Sequence, residues 1–475
     1  MIMWTKIKST AKKNKKWVAL TAVVVIFGLL LLLAVNQYAD SGVDVLSDIF
    51  SAENSIFLLL PFIGVVVLLV VLLIVLAVAK PEYGAPAPAP VANNTLQNTP
   101  VTPVPETSEP APTEEVTDRF CMLSEIERRK DSYRRAGYDE GVTLESFCEN
   151  LRNYAASNLK LYYDIADIRR FVAGMAVSHI IILQGMSGTG KTSLAHAFGT
   201  FIDNSSTIIP VQPMWKERTD LVGYYNEFTK KFNETLLLEK MYEANYSEDI
   251  YVTVLDEMNI ARVEYYFAEF LSLLELPNPE ERYIDVVSDR WETDPAQLKD
   301  GRIKLPANMW FIGTANNDDS TFAISDKVYD RAMILNLDAK SDRFIAPKTE
   351  KMHVSAKQFE RLVKEATEEY RISDRNKKRL EALDEYLITH FHITFGNRIM
   401  KQINTYIPVY ISCGGDELEA LDDILSKKVI RKLETQNPIY LRNAAEGLVS
   451  YLNELFGQDK MTLCKEHIRR LERNA

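Results

Sequence analysis

A short apolar run, His179-Ile-Ile-Ile-Leu-Gln184, leads directly into the loop Gly185-Met-Ser-Gly-Thr-Gly-Lys-Thr192. The first run predicts a β-strand buried on both faces, because its isoleucines and leucine follow one another without polar alternation. The second run matches the phosphate-loop pattern, with glycine at both required places. Such glycines let backbone amides turn inward around phosphates, and the helix that follows adds its positive N-terminus. Together the two runs predict a strand, a phosphate-binding loop and a helix.

The loop predicts a nucleotide site with defined roles for its polar residues. Lys191 is expected to reach the outer phosphates, and the hydroxyl of Thr192 to be a ligand of Mg²⁺. We predict nucleotide contacts from the whole stretch, which comprises Gly185, Met186, Ser187, Gly188, Thr189, Gly190, Lys191, Thr192 and Ser193.

A second run supplies the carboxylates that such a site needs. Tyr251-Val-Thr-Val-Leu255 predicts a strand, and Asp256 and Glu257 follow it directly. Asp256 is predicted to hold Mg²⁺, largely through water. Glu257 is predicted to orient and deprotonate an attacking water. An acidic pair after a strand is a common loop feature, but its combination with the phosphate loop favours nucleotide hydrolysis.

Strand and helix patterns alternate through the middle of the chain, which predicts an α/β fold with a parallel sheet and helices on both faces. Strands are predicted at 179–184, 206–212, 250–255 and 309–315, and an inserted hairpin region at 281–306. Helices are predicted at 118–137, 144–175, 191–202 and 262–275. Beyond about residue 355 only helices are predicted, at 357–371, 376–390, 397–410, 417–434, 440–456 and 461–472. We therefore divide this part of the chain into a helical lead-in at 118–175, an α/β core at 176–345 and a C-terminal helical region at 346–475.

Composition narrows the class of protein. The chain has 475 residues, a formal net charge of −11, 47% apolar and 25% charged residues. These values exclude a wholly disordered, collagen-like or disulfide-scaffold protein. The acidic balance argues against a chain built mainly to coat nucleic acid. The cysteines are widely spaced and predict reduced thiols rather than disulfides or a metal site, at Cys121, Cys148, Cys413 and Cys464.

Two long uncharged segments predict membrane helices, at 17–39 and 56–79. A bilayer needs about 20 apolar residues in a helix, because lipid offers the backbone no hydrogen-bond partners. Six lysines at 1–16 precede the first segment, whereas the loop at 40–55 has four acidic residues and no lysine or arginine. Positive flanks stay in the cytoplasm, so both termini are expected there, in a protein of the plasma or inner membrane. A cleaved signal peptide is the alternative interpretation of the first segment.

The segment at 80–117 holds nine of the 19 prolines. Its alternating Ala-Pro run over 85–90 does not form a helix. This composition predicts a disordered, extended spacer between the membrane and the folded body.

Three further runs resemble AAA+ ATPases of the McrB-type group, near the MoxR-like clade. They are Leu255-Asp-Glu-Met-Asn-Ile-Ala-Arg-Val-Glu-Tyr-Tyr-Phe267, Gly313-Thr-Ala-Asn-Asn-Asp-Asp-Ser320 and Val211-Gln-Pro-Met-Trp-Lys-Glu-Arg-Thr-Asp-Leu-Val-Gly-Tyr224. The resemblance covers roughly 160–460 and implies an AAA+ fold with a C-terminal helical lid.

The resemblance also implies roles for single residues. Asn316, with Asn317 as the alternative, would help to position the attacking water. Arg331 would act across a subunit boundary on the γ-phosphate, where a delocalised positive charge suits a loose phosphoryl transition state. Arg398 would be a lid arginine that contacts the nucleotide. A surface ion pair with Asp330 and a solvated helix position are the alternatives for Arg331 and Arg398.

The expected assembly and partners follow from these roles. An arginine that acts in trans requires an oligomeric ring, which we expect to be a hexamer. ATP is favoured over GTP, with Mg²⁺. The macromolecular substrate is open, with protein favoured slightly over DNA. McrB-type relatives imply a separate nuclease subunit, and a membrane scaffold that hydrolyses nucleotide negligibly is a further alternative. Trp215 and Tyr224–Tyr225 are either pore-facing or packing residues.

Overall fold

In the computed structural model the described residues are 118–316, 321–338 and 341–474. The predicted basic N-terminus (1–16), membrane helices (17–39 and 56–79), connecting loop (40–55) and linker (80–117) lie outside these ranges, as does Asn317. Among the described residues, no helix combines the length and the apolar character that a membrane crossing requires.

Nine strands are described, in one five-stranded sheet and two hairpins. Their bounds are β1 Ile180–Gly185, β2 Thr207–Pro210, β3 Gly223–Asn226, β4 Lys231–Glu234, β5 Tyr251–Asp256, β6 Tyr283–Asp285, β7 Arg302–Lys304, β8 Met309–Asn316 and β9 Met333–Asn336. The five-stranded sheet has the order β2-β5-β8-β1-β9, and every neighbouring pair is parallel. β3 pairs with β4, and β6 with β7, as antiparallel hairpins.

Fifteen α-helices are described around these strands. The first nine are α1 Cys121–Arg128, α2 Leu144–Leu159, α3 Ile165–Val177, α4 Lys191–Phe201, α5 Thr219–Val222, α6 Leu236–Ala244, α7 Val263–Tyr266, α8 Ala268–Leu273 and α9 Asp326–Tyr329. The C-terminal six are α10 Ala356–Glu369, α11 Asp374–Phe391, α12 Gly396–Ser412, α13 Glu417–Lys428, α14 Pro438–Phe456 and α15 Thr462–Asn474.

The central strands are apolar on both faces because helices cover both sides of the sheet. One face of β1, through Ile181 and Leu183, joins a core shared with α2, α3, α4 and the C-terminal helices. The other face, through Ile180 and Ile182, joins a core shared with α6, α7 and α8. The continuous apolar run of β1 therefore reflects burial on two sides, as its sequence predicts.

The C-terminal helices pack directly on the α/β core around a buried ionic cluster. Asp423 of α13 is 1% exposed and lies 3.1 Å from Arg170 of α3 and 2.5 Å from Lys427. Tyr406 of α12 donates a hydrogen bond of 2.6 Å to the same carboxylate. Because a buried charge without a partner is costly, loss of one member would destabilise the contact between α3, α12 and α13.

The predicted parallel sheet and helical C-terminal region are confirmed, and the four cysteines are free thiols. Several predicted helices are shorter. The lead-in helix at 118–137 is α1 followed by a 3₁₀ turn, and the helix at 144–175 is interrupted where Lys160 adopts φ +59° and Asp164 caps α3. The helix at 262–275 is divided into α7 and α8, and the one at 417–434 ends at Lys428.

The β3–β4 hairpin and α6 were not predicted from the sequence. Asn226 closes the hairpin turn by accepting hydrogen bonds from the amides of Phe228 and Thr229. Thr235 caps α6 by accepting from the amide of Leu238. Both signals are short and local, and only the threonine followed by an apolar run could have indicated α6.

The titration of His179, which lies immediately before β1, tests how this end of the sheet is packed. The centroid of its ring lies 4.5 Å from that of Trp310, with the two rings tilted, and Nδ1 donates to the carbonyl of Met309 at 3.1 Å. Burial lowers the pKa of His179 to about 4. The unfolded chain therefore binds more protons between pH 6.5 and 4, and folding stability should fall as the pH decreases through this window.

We expect the His179→Phe variant to show a flatter pH dependence than the wild type. The free energy of unfolding is measured with urea from pH 7 to pH 4. Its decrease over this range should be smaller in the variant than in the wild type by about 2 kcal/mol, after allowance for the partial exposure of the ring. Parallel pH profiles for the two proteins would contradict the assignment of a neutral imidazole at His179.

Candidate functional site

The phosphate loop lies at the carboxyl edge of the sheet, where β1 ends. Gly185 adopts φ +144°, and a Cβ atom there would lie 2.2 Å from the carbonyl oxygen of Leu337. The amide of Leu337 also donates to the carbonyl of Gln184 at 2.7 Å. Only glycine allows β9 to approach so closely at this point, so Gly185 serves the sheet as well as the loop.

Lys191 lies under the loop at the start of α4. Its Nζ donates to the carbonyl oxygens of Gly185 at 2.9 Å and Met186 at 2.8 Å. Gly190 adopts φ +96°, and its carbonyl accepts a 3.0 Å hydrogen bond from the Tyr163 hydroxyl. Met186, Ser187 and Gly188 are exposed, so the outer surface of the loop is open to a ligand.

Asp256 and two threonines join the loop to the middle of the sheet. Asp256 Oδ1 accepts from Thr192 Oγ1 at 2.7 Å and from Thr314 Oγ1 at 2.8 Å. Thr192 begins α4, Asp256 ends β5 and Thr314 lies near the end of β8. One carboxylate oxygen therefore fixes the relative positions of three elements at the predicted metal site.

Glu257 follows in a left-handed backbone conformation, with φ +52°. Its amide donates to Thr314 Oγ1 at 2.8 Å, and its carbonyl accepts from the amide of Ile260. A non-glycine residue in this conformation costs energy and is held by its surroundings, which is common at functional sites. The side chain is exposed next to Asp256, where it is open to solvent.

Asn316 ends β8 beside the first glycine of the loop, since it is paired in register with Gly185. Its carbonyl accepts from Asn259 Nδ2 at 3.0 Å, and its amide approaches Asn259 Oδ1 at 3.4 Å. Asn259 is buried and also donates to Thr321 and to the carbonyl of Phe322. It therefore holds both sides of the segment that follows β8.

The two motifs that carry the family resemblance contact each other through a sulfur atom. A Cβ atom on Gly313 would lie 1.9 Å from Sδ of Met258. Met258 fills the space beside β8 that a side chain at residue 313 would occupy. Gly313 and Met258 are therefore mutually dependent, which gives a packing reason for their presence in the same chain.

Two predicted arginines lie at the opposite edge of the sheet. The carbonyl of Arg331 accepts from Ser178 Oγ at 2.8 Å, just before β1 begins. Arg331 Nε lies 2.8 Å from Glu275 Oε2, in an ion pair without linear hydrogen-bond geometry. Arg398 Nη2 lies 2.7 Å from Glu275 Oε1. The structure thus brings Arg331 and Arg398 together, but not to the phosphate loop of their own chain.

The aromatic residues considered for a pore are partly packed. Trp215 contacts Tyr266 edge-on at 5.5 Å, and Tyr225 contacts Trp291 at 6.1 Å. Tyr224 is 52% exposed. Packing therefore accounts for Trp215 and Tyr225, and Tyr224 is the open side chain of this group.

The donor set suits a nucleotide with Mg²⁺. The Thr192 hydroxyl and the Asp256 carboxylate share a hydrogen bond, so two oxygen donors of the kind that Mg²⁺ prefers are already adjacent. The turned backbone and the ammonium of Lys191 suit phosphate oxygens. Sequence reasoning missed Thr314, Asn259 and Tyr163, because their roles depend on contacts between distant segments.

Asn259 provides a test of how the end of β8 is held. In Asn259→Leu we expect a loss of about 1–3 kcal/mol in the free energy of unfolding, because buried polar partners are left unpaired. The rate constant kcat for phosphate release should fall about tenfold or more, since small displacements of a catalytic group are costly.

Asn308→Leu is the matched control. The Asn308 side-chain amide likewise has three acceptors, which are all backbone carbonyl oxygens, but it lies at the opposite edge of the sheet. This control should lose stability and retain kcat. Equal losses of kcat in both variants would contradict a specific role for Asn259.

Comparison with known proteins agrees with this geometry. Residues 180–332 match the family described as the AAA domain of the dynein-related subfamily. Residues 348–475 match a domain of unknown function, DUF8727. No curated protein matches the chain.

Two solved structures are similar to the chain. One is a protein from Cytophaga hutchinsonii described as a candidate ATPase, with 14% identity, a TM-score of 0.42, and coverage of 70% of this chain and 97% of the other. The second is an MCM homologue from Methanopyrus kandleri, with 9% identity, a TM-score of 0.32, and coverage of 64% of this chain and 58% of the other. The family match, together with the loop and Asp256, identifies residues 180–332 as an AAA-type ATPase domain.

Proposed function

We propose that this chain is an AAA+ NTP hydrolase, with ATP favoured over GTP, that works in an oligomeric ring. The observation that carries the proposal is the shared contact of Asp256 with Thr192 and Thr314 directly beside Lys191 and the glycine loop. This arrangement places oxygen ligands for a metal ion, the ammonium group of Lys191 and the backbone amides of the glycine loop at one edge of the sheet. Such convergence suits the binding and transfer of a phosphoryl group.

Each residue has a distinct task in this proposal. Lys191 and the loop hold the phosphates, while Thr192 and Asp256 hold Mg²⁺. The metal ion supplies charge neutralisation when it is bound. Glu257 accepts a proton from the attacking water, and Asn316 orients that water.

The Glu257→Gln variant tests the hydrolytic step. We expect it to lower kcat for phosphate release by about 100-fold or more, because a positioned general base is worth that much. Affinity for ATP should stay within a few fold of the wild type, measured with a fluorescent analogue. GTP is assayed in parallel to establish the nucleotide.

Lys191→Ala serves as the control for binding, because it should lose nucleotide affinity as well as turnover. Undiminished turnover in Glu257→Gln would refute the assignment of the base. Tight binding with no turnover in the wild type would favour the nucleotide-gated scaffold.

The position of Arg331 supports action on a neighbouring subunit. Its backbone contacts Ser178, seven residues before Gly185 along β1. At about 3.3 Å per residue, the two ends of this segment are roughly 20 Å apart. An arginine side chain does not span that distance, so Arg331 does not serve the phosphate loop of its own chain. A ring, expected to be a hexamer, would place it beside the next loop.

In Arg331→Ala we expect turnover to fall by about 1000-fold, as for other arginines that act on a phosphoryl transition state. Nucleotide affinity should be almost unchanged, because Arg331 is remote from the loop of its own chain. Arg361→Ala is the control, since Arg361 is an exposed helix residue whose ion pair with Glu365 lies within α10. Turnover at the wild-type level in Arg331→Ala would exclude action in trans.

For the biological setting we propose a membrane-anchored enzyme that remodels a protein at the cytoplasmic face. The uncharged segments at 17–39 and 56–79 support the anchor, and the net charge of −11 favours protein over DNA as the substrate. A motor that works with a separate nuclease subunit is the competing proposal, based on the McrB-type resemblance of the runs at 211–224, 255–267 and 313–320. Hydrolysis that DNA stimulates in a salt-sensitive manner would favour the nuclease-coupled motor.

A further inference from the structure

A cavity of about 540 Å³ lies between the α/β core and the C-terminal helices. The core lines it with Arg170 of α3 and with Asn336 and Asp338 at the end of β9, and α13 and α15 line the other side. None of the twelve described residues that line it belongs to the phosphate loop at 185–193. Its volume is in the range of pockets that hold small molecules.

The lining of this cavity carries an excess of positive charge. Five of the twelve residues are arginine or lysine, and three are aspartate or glutamate. The whole chain, in contrast, has a formal net charge of −11. Positive charge is therefore concentrated at this cavity against the overall balance, which indicates an anionic ligand.

The floor of the cavity is buried and its charges are paired. Lys427 and Asp423 of α13 are 6% and 1% exposed and lie 2.5 Å apart. Arg170 lies 3.1 Å from Asp423 and 2.9 Å from Asp167. Two cations thus face two carboxylates in the floor, and this ionic cluster also joins α3 to α13. The excess positive charge therefore lies on the rim.

Three arginines of α15 form that rim, at Arg469, Arg470 and Arg473. All three are exposed, and none has an ion pair or a side-chain hydrogen bond with another described residue. Arg473 follows Arg469 by four positions and Arg470 by three, and like charges at these spacings destabilise a helix. The helix dipole favours cations in the last turn, but it does not account for the convergence of three arginines on one cavity. A bound anion would offset their repulsion.

The chemistry of the rim favours phosphate groups. A planar guanidinium group binds two phosphate oxygens at once, and three such groups suit a ligand with more than one phosphate. A nucleic-acid strand is bound along an extended basic groove with aromatic side chains that stack on its bases. Here the arginines surround a cavity with a buried floor, and no aromatic residue is among the described residues that line it. A compact ligand is therefore favoured over a strand.

We propose that this cavity binds a small molecule that carries two or more phosphate groups, held by Arg469, Arg470 and Arg473. Free inorganic pyrophosphate and the phosphates of a second nucleotide offer the same chemistry. The site is separate from the phosphate loop, and the proposal does not depend on hydrolysis there.

The position of the cavity gives the ligand a structural effect. Asn336 and Asp338 line it from the core, and Leu337 lies between them. The amide of Leu337 donates to the carbonyl of Gln184 at 2.7 Å, directly before the first glycine of the phosphate loop. A ligand between α15 and the end of β9 would therefore hold the C-terminal helices against the segment that packs on the loop, and it should raise the unfolding midpoint of the chain.

Binding is measured in a full-length Lys191→Ala chain without Mg²⁺, so that the phosphate loop lacks its lysine and its metal ion. Equilibrium dialysis with radiolabelled pyrophosphate should give one bound equivalent per chain. Adding Arg470→Ala should weaken binding about tenfold, and adding Arg469→Ala as well about 100-fold, because each change removes charge-assisted hydrogen bonds. The increase in unfolding midpoint with pyrophosphate should be lost in parallel.

The matched control adds Arg375→Ala and Arg442→Ala to the Lys191→Ala chain. Arg375 of α11 and Arg442 of α14 are exposed, lie outside the cavity lining and have no ion pair with a described residue. The control removes the same net charge as the two substitutions in the cavity. It should retain the pyrophosphate affinity of its parent. The unfolding midpoints without ligand should agree among the three proteins, since all the added substitutions are at exposed positions.

A selective loss of pyrophosphate binding in the cavity variant supports the proposal. Competition by ATP in the same Lys191→Ala chain then distinguishes the two sources, because a nucleotide that displaces pyrophosphate below equimolar concentration is the preferred ligand. Equal affinities in the cavity and control variants would overturn the proposal, as would binding that occurs only when Lys191 is intact. Binding of a single-stranded oligonucleotide through these arginines, without binding of pyrophosphate, would replace the small-molecule site with a nucleic-acid surface.

The outcome is distinguishable from the outcome for the proposed function. Phosphate release by the wild-type chain tests hydrolysis at the loop, whereas dialysis with the Lys191→Ala chain does not require turnover. A wild-type chain that fails to hydrolyse ATP or GTP therefore leaves the test of the cavity intact.

Discussion

The hydrogen bonds that the Asp256 carboxylate accepts are the interactions on which the rest of the site depends. One of its oxygens accepts hydrogen bonds from Thr192 and Thr314, which belong to α4 and β8. Thr314 in turn accepts from the amide of Glu257. The hydroxyl of Thr314 therefore transmits the position of the carboxylate to the backbone of the proposed base. A displaced Asp256 would disturb the metal ligands and the base together.

The strain at Glu257 is a consequence of this network. A left-handed φ of +52° is unfavourable for glutamate and persists only where other contacts compensate. The amide contact with Thr314 and the 3₁₀ turn at Met258–Ile260 provide that compensation. The same turn directs Asn259 toward Asn316, so the two residues proposed to manage water, Glu257 and Asn316, are coupled through the short backbone segment from Glu257 to Asn259 and the side chain of Asn259. A straight continuation of β5 would separate them.

Local sequence patterns predicted much of the fold. The features that they did not predict depend on tertiary contacts between distant segments. The apolar run of β1 and its glycine loop are contiguous, so the strand, the loop and the start of α4 could be read directly. Asn259 acts on Asn316, which is 57 residues away, and no periodicity reports such a pairing. Arg398 was expected at the nucleotide because the resemblance implies a lid arginine there, and the sequence does not show which edge of the sheet the start of α12 reaches. Glu275 had no local signal at all.

The two ends of β1 lie beside different groups of proposed functional residues. Its carboxyl end opens into the loop, and its amino end is preceded by Ser178, which contacts the backbone of Arg331. In a parallel sheet all amino ends lie at one edge and all carboxyl ends at the other. Arg331 therefore lies at the edge of the sheet opposite to the phosphate loop of its own chain. In the ring that we propose, this position leaves Arg331 and Arg398 to a neighbouring subunit rather than to the phosphate loop of their own chain.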